Sequence, residues 1–192
     1  MARLQEDIRR LRFWRSLIAE FLGTMFLVLF GCGAWTQAGH ESSPDTVKIA
    51  FAFGLTYIAV LYCIRTVSDG YINPAVTIAL LATRRASVIR SLLYLLCQIL
   101  GAILGAAFVF AVTAPELRAK HPSAIGCTVL STNVAESHGF GVEFFATFFF
   151  VFVVFACAEK TRREEVVTSP VIIGLTYGAM ALFAVSINYF LV

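Results

Sequence analysis

No charged residue falls between Ser91 and Val112. An apolar stretch of that length suits a helix crossing the roughly 30 Å hydrocarbon core of a bilayer, which takes about 20 residues. Similar runs extend from about Ser16 to Trp35, Val47 to Ile64, Gly139 to Ala158 and Ser169 to Val192. The composition, 59% hydrophobic with a mean hydropathy of +0.82, lies well outside the soluble range. The first run carries Glu20 and lacks a small-residue cleavage site, so it reads as a retained span and not a signal peptide. An all-α integral membrane protein is expected, with the lipid bilayer as its first partner.

Several function classes drop out. The net charge of +3 is spread between apolar segments without a basic patch, which argues against a nucleic-acid partner. Five cysteines at 32, 63, 97, 127 and 157 show neither a disulfide framework nor metal-ligand spacing. His40, His121 and His138 fall in predicted loops without ligand spacing, and no nucleophile–base pair is evident. Neither an enzyme nor a cofactor is expected. An ion-coupled carrier is disfavoured because the spans lack charged pairs. Twelve of the 15 lysines and arginines fall on the side of the N-terminal head, which predicts a cytoplasmic N-terminus.

Between the second and third spans lies Gly70-Tyr-Ile-Asn-Pro-Ala-Val-Thr-Ile-Ala79. Asn73 followed by Pro74 is a helix start: asparagine caps open N–H groups, and proline gives up a donor that had no partner. The helix expected from Ala75 to about Ala82 is apolar yet too short to cross. A re-entrant half-helix lining a wet cavity accounts for this. On these residues alone, a loop with one helical turn outside the bilayer fits equally well.

The chain also repeats itself. Ala19-Glu-Phe-Leu-Gly-Thr-Met-Phe-Leu-Val28 reads against Val142-Glu-Phe-Phe-Ala-Thr-Phe-Phe-Phe-Val151, and Gly54-Leu-Thr-Tyr57 recurs as Gly174-Leu-Thr-Tyr177 at nearly the same offset. An odd number of spans separates the copies, so the second enters the bilayer inverted. The organisation is a first repeat over 1–112, an outer connecting loop over 113–138 and an incomplete second repeat over 139–192. The counterpart of Asn73 falls one position past Val192.

With Ala19-Glu-Phe21, Asn73-Pro-Ala-Val-Thr77, Gln98-Ile-Leu-Gly-Ala102 and Val142-Glu-Phe144 in view, the chain resembles the aquaporin (major intrinsic protein) family. The resemblance covers about Phe13 to Ala184. It implies an inverted-repeat helical bundle of six spans, five of them present here, assembled as a tetramer in the plasma membrane. Asn73, Pro74 and Ala75 would line the pore. Glu20 and Glu143, with Gln98 assisting, would accept hydrogen bonds from re-entrant loops and leave carbonyls facing the pore. Phe53 and Ala181 would belong to the selectivity ring, and Tyr71, where the family commonly has histidine, to the inner vestibule. Without a second half-helix, Glu20 is expected to lose its partner loop. Val185 to Val192 departs from the family and reads as a foreign ending, a shifted frame or an extension of span five.

The leading expectation is a channel for water and small neutral solutes. A truncated, non-conducting form that assembles with intact relatives is the alternative. An adhesion role resting on the outer loop has no diagnostic residue behind it.

Overall fold

The computed structural model describes residues 10–35, 45–116, 134–158 and 169–188. The N-terminal head before Arg10, most of the outer loop, the charged loop 159–165 and the last four residues lie outside them. Among these residues six helices follow in order: α1 Leu11–Gly33, α2 Thr46–Ile64, α3 Pro74–Ala82, α4 Val88–Val112, α5 Glu136–Ala158 and α6 Ser169–Asn188. Helices α1, α2, α4 and α5 are long and apolar enough to cross a membrane, and α6 carries a shorter apolar stretch, Ser169–Ala184. The nine residues of α3 reach about 14 Å at 1.5 Å each, half the distance needed.

The helices begin earlier than hydropathy alone places them. Helix α1 takes in Arg12 and Arg15, both exposed, and α4 takes in Arg90. Long basic side chains carry their charge outward to the head groups, so a helix continues past the last apolar residue without burying them. Asp45 caps α2 by accepting from the Lys48 amide at 2.9 Å. Thr113 ends α4, its hydroxyl donating to the Val109 carbonyl at 2.7 Å.

Two close backbone crossings hold the bundle. Helix α4 lies on α1 through Gly101 and Gly105: a Cβ on Gly101 would stand 2.3 Å from the Phe21 carbonyl oxygen, and one on Gly105 2.5 Å from that of Met25. The contacts advance together along both chains, so α1 and α4 run parallel. Helix α6 crosses α2 the other way, Ala50 facing Gly178 and Ile58 facing Gly174. At its centre Gly54 and Gly174 approach reciprocally. A Cβ on Gly174 would meet the Gly54 oxygen at 2.6 Å, and one on Gly54 would meet the Gly174 oxygen at 2.9 Å. Lipid offers no solvophobic drive for helix association, so close packing through small residues supplies it.

The repeated tetrapeptide therefore meets its own copy. The Tyr57 and Tyr177 rings lie tilted against each other at 5.0 Å between centroids, and Phe150 sits edge-on to both, at 5.5 and 5.2 Å. Such self-contact is what a twofold axis between inverted halves imposes. The core gathers Leu27, Tyr57, Val60, Leu61, Ile72, Val76, Leu80 and Phe150 around α3. The outward faces are apolar too, with Ile103, Phe110, Phe145 and Phe148 all exposed, as for a body solvated by lipid.

Replacing Gly174 by valine should force the α2–α6 backbones apart and lower the detergent-solubilised protein's stability by about 1–3 kcal/mol. Gly141→Ala, where a Cβ meets nothing within 4 Å, should leave it unchanged or slightly raised. Thermal unfolding of the two variants checks the contrast; equal melting would contradict it.

Candidate functional site

The segment entering α3 is turned inward by its own backbone. Gly70 has φ +70°, and Ile72, a β-branched residue, has φ +45°. Left-handed backbone at such a residue is strained by roughly 1–3 kcal/mol. Ile72 is nonetheless buried, its side chain filling the space left by Gly23, where a Cβ would stand 2.8 Å from Ile72 Cγ2.

What holds the turn is Glu20, on α1 and 0% exposed. Its Oε1 accepts from the Tyr71 amide at 3.0 Å and from the Ser68 hydroxyl; its Oε2 accepts from the Ile72 amide at 2.7 Å and from Gln98 Nε2 at 2.9 Å. Two donors on each oxygen satisfy a carboxyl group that would be costly to bury unpaired. This corrects the expectation that Glu20 lacks its loop. Its partner is the loop before Asn73, because the Glu20 face of α1 turns onto the segment connecting α2 to α3.

The network continues to the half-helix. Gln98 Nε2 also reaches Thr77 Oγ1 at 3.0 Å, and that hydroxyl donates to the Asn73 carbonyl at 3.0 Å. Asn73 Oδ1 accepts from the Ala75 amide at 2.8 Å, with Pro74 next to it at the helix start. Its Nδ2 donors bond to no other described residue. Asn73 and Ala75 are half-buried and Pro74 is exposed. Thr24, one turn after Glu20, donates to the Glu20 carbonyl at 2.9 Å and lies 3.4 Å from that of Ile72.

The other predicted residues are placed unequally. Phe53 lies over Gly31, where a Cβ would stand 2.1 Å from its ring, and packs at 5.7 Å against Tyr177. Ala181 sits one turn beyond Tyr177 on α6, half-buried. Tyr71 stacks edge-on against Tyr94 at 5.3 Å, and its carbonyl accepts the Tyr57 hydroxyl at 3.1 Å. Two carbonyls of this loop, those of Tyr71 and Ile72, thus have hydroxyls within reach. Glu143 is exposed on α5 and stands apart from the Glu20 network. Below the loop opens a cavity of about 720 Å³ lined by Arg65, Asp69, Tyr71, Leu80, Arg85 and Ser169 among others.

Sequence reasoning missed Ser68, Thr77 and Thr24. The available signal was a hydroxyl in an apolar setting, with Thr77 four residues after Asn73 and Thr24 four after Glu20. It also missed the ion pair at the loop's edge, Arg90 to Asp69 at 3.1 Å, with the Arg90 guanidinium over the Phe13 ring.

Glu20→Gln turns an amide NH₂ toward backbone amides and should cost about 2–4 kcal/mol of stability. Thr77→Val, losing neutral bonds only, should cost about 1 kcal/mol. Denaturation of both variants in detergent measures the ranking, and a harmless Glu20→Gln would contradict it.

Against known proteins, residues 7–189 match the family described as Major intrinsic protein. Aquaporin-4 of Mus musculus is 37% identical over 180 residues, covering 92% of this chain and 54% of the relative. Aquaporin-2 of Bos taurus is 34% identical over 88% of this chain and 61% of its own length. The lens fiber major intrinsic protein of Canis lupus familiaris is 32% identical over 92% and 65%. The chain thus spans little more than half the length of the aquaporin-4 relatives it matches. In fold it resembles the aquaglyceroporin from Plasmodium falciparum, with a TM-score of 0.70 at 22% identity over 89% of this chain and 71% of that one.

Proposed function

This chain belongs to the major intrinsic protein family, and on that footing we propose that it is a multi-pass membrane channel passing water and small neutral solutes down their gradients. One observation carries the reading: a buried carboxylate, Glu20, fixes the loop that presents the capped N-terminus of a nine-residue half-helix.

The peptide dipoles of α3 leave roughly half a positive charge at Asn73-Pro74-Ala75. A cation approaching that end, a hydrated proton included, meets a barrier that a water molecule does not. Asn73 commits its oxygen to the Ala75 amide and keeps NH₂ donors for a passing water, which turns its oxygen toward them. That orientation breaks a continuous proton wire. Glu20, Gln98 and Thr77 are positioning residues in this scheme and do no chemistry.

Phe53 and Ala181 belong to the selectivity ring, where a methyl at 181 leaves it wider and less polar than an imidazole would. Tyr71 narrows the inner vestibule. Glu143 serves a loop on the opposite side as Glu20 serves this one. The basic bias of the loops supports a cytoplasmic N-terminus, and family resemblance supports a tetramer in the plasma membrane.

A second reading, assembly with intact relatives as a non-conducting subunit, is favoured by the surface of α5. Phe144 and Phe148 are exposed there, and the repeat sets them opposite Phe21 and Met25, the α1 residues that α4 covers. A helix carrying small residues four apart would cover this α5 face in the same way.

Stopped-flow light scattering of proteoliposomes tests the channel reading. Vesicles containing the chain should shrink several-fold faster than empty lipid under an osmotic step, without added proton leak. Ala181→His should slow glycerol entry and leave water flow largely intact. Permeability equal to bare lipid, while co-expression alters an intact relative's flow, would favour the second reading.

A further inference from the structure

Three aromatic rings from three helices form a layer of their own between the two halves. Tyr57 on α2, Phe150 on α5 and Tyr177 on α6 stand 5.0, 5.2 and 5.5 Å apart between centroids. Rings at such separations are in contact and leave no room for a water molecule between them. One turn to one side, at Leu61, Val154 and Ile173, the same three helices line the cavity of about 720 Å³ beneath the half-helix. One turn to the other side they carry Phe53, Ala146 and Ala181, of which Phe53 and Ala181 are the selectivity-ring positions. A helical turn of four residues advances about 6 Å. The cavity and the ring are therefore separated by the thickness of this single layer, and none of its three side chains is among those lining the cavity.

We propose that Tyr57, Phe150 and Tyr177 form an aromatic gate in series with the selectivity ring, and that this gate limits how fast water and small neutral solutes cross. The proposal rests on the channel reading and adds to it the residues that restrict passage. The three rings are held unequally. Tyr57 is 1% exposed, and its hydroxyl donates to the Tyr71 carbonyl at 3.1 Å, on the loop whose amides Glu20 holds. Phe150 is also 1% exposed and packs in one core cluster with Val76 of the half-helix. Tyr177 is half-buried, which leaves it the ring with room to swing. Closed, the layer excludes water by its apolar faces as well as by its lack of width. Turning Tyr177 aside joins the cavity to the ring by a passage one molecule wide, and a bulkier solute requires a larger displacement.

The full chain and its variants are reconstituted at matched density of folded protein into phosphatidylcholine vesicles, and water and glycerol permeabilities are read by stopped-flow light scattering. Tyr177→Leu and Phe150→Leu should each raise water permeability at least threefold over the unaltered chain, and glycerol permeability by a larger factor. Tyr57→Phe, nearly isosteric, keeps the ring, drops its bond to the Tyr71 carbonyl and should give a smaller gain. Phe145→Leu, on the lipid-facing side of α5, should change neither. Rings that served packing alone would lose flux when trimmed, so a gain in a folded variant is specific to a gate. If the unaltered chain conducts and none of the three gate variants exceeds it, the gate is overturned while the channel reading stands. Conduction by a leucine variant over an unaltered chain that matches bare lipid supports a gate that is shut at rest. Permeability equal to bare lipid in every chain overturns the gate and the channel reading together.

Discussion

A single buried carboxyl group sets the geometry at the centre of this molecule. Glu20 takes four donors from three sources: the α2–α3 loop backbone, the Ser68 hydroxyl and the Gln98 amide on α4. Hydrogen bonds to such a group contribute about 1.5–3 kcal/mol each, more together than the roughly 1–3 kcal/mol strain of a left-handed Ile72. The loop is therefore held in a conformation its own sequence disfavours. The half-helix starts just past the point where Glu20 releases the chain, its cap Asn73 following Ile72 directly.

Everything around that point serves to bring Glu20, Gln98 and Thr77 within reach of one another. Glu20 and Gln98 meet because Gly101, one turn after Gln98, lets α4 rest directly on the α1 backbone. The reciprocal approach of Gly54 and Gly174 does similar work on the far side, seating α6 and its Tyr177 beside the core that wraps α3. Apolar residues left outside face lipid, where no solvophobic force competes with these crossings. Packing of small residues and satisfaction of buried polar groups thus share the load that a water-soluble protein assigns to core burial.

Much of this could be read from the chain alone, and the reasons differ by feature. Long uncharged runs mark spanning helices because the bilayer punishes any other backbone arrangement. Asn73 and Pro74 mark the half-helix because a cap and a first-turn proline have few other uses inside such a sequence. The Gly-Leu-Thr-Tyr repeat signals two related halves, though nothing in its letters says that Gly54 would touch Gly174. Glu20 stands out as an acid inside a span, yet its partner loop is not legible in the letters, since one sequence gives no rotation of α1 about its axis. The roles of Ser68 and Thr77 are not legible because hydroxyls are common in spans and usually bond to their own helix, as Thr24 does. The left-handed turn at Ile72 was invisible, because a β-branched residue is the last choice for that conformation and only tertiary bonding explains it.

The account rests on the Glu20 carboxyl clamping the Tyr71 and Ile72 amides, and hydrogen exchange at those two amides examines that clamp directly. In the full chain both should exchange at least tenfold more slowly than loop amides outside the network, and Glu20→Gln should erase the difference while amides in the middle of α1 stay protected. Rapid exchange at Tyr71 and Ile72 in the unaltered protein, or protection that persists in Glu20→Gln, would contradict the arrangement described.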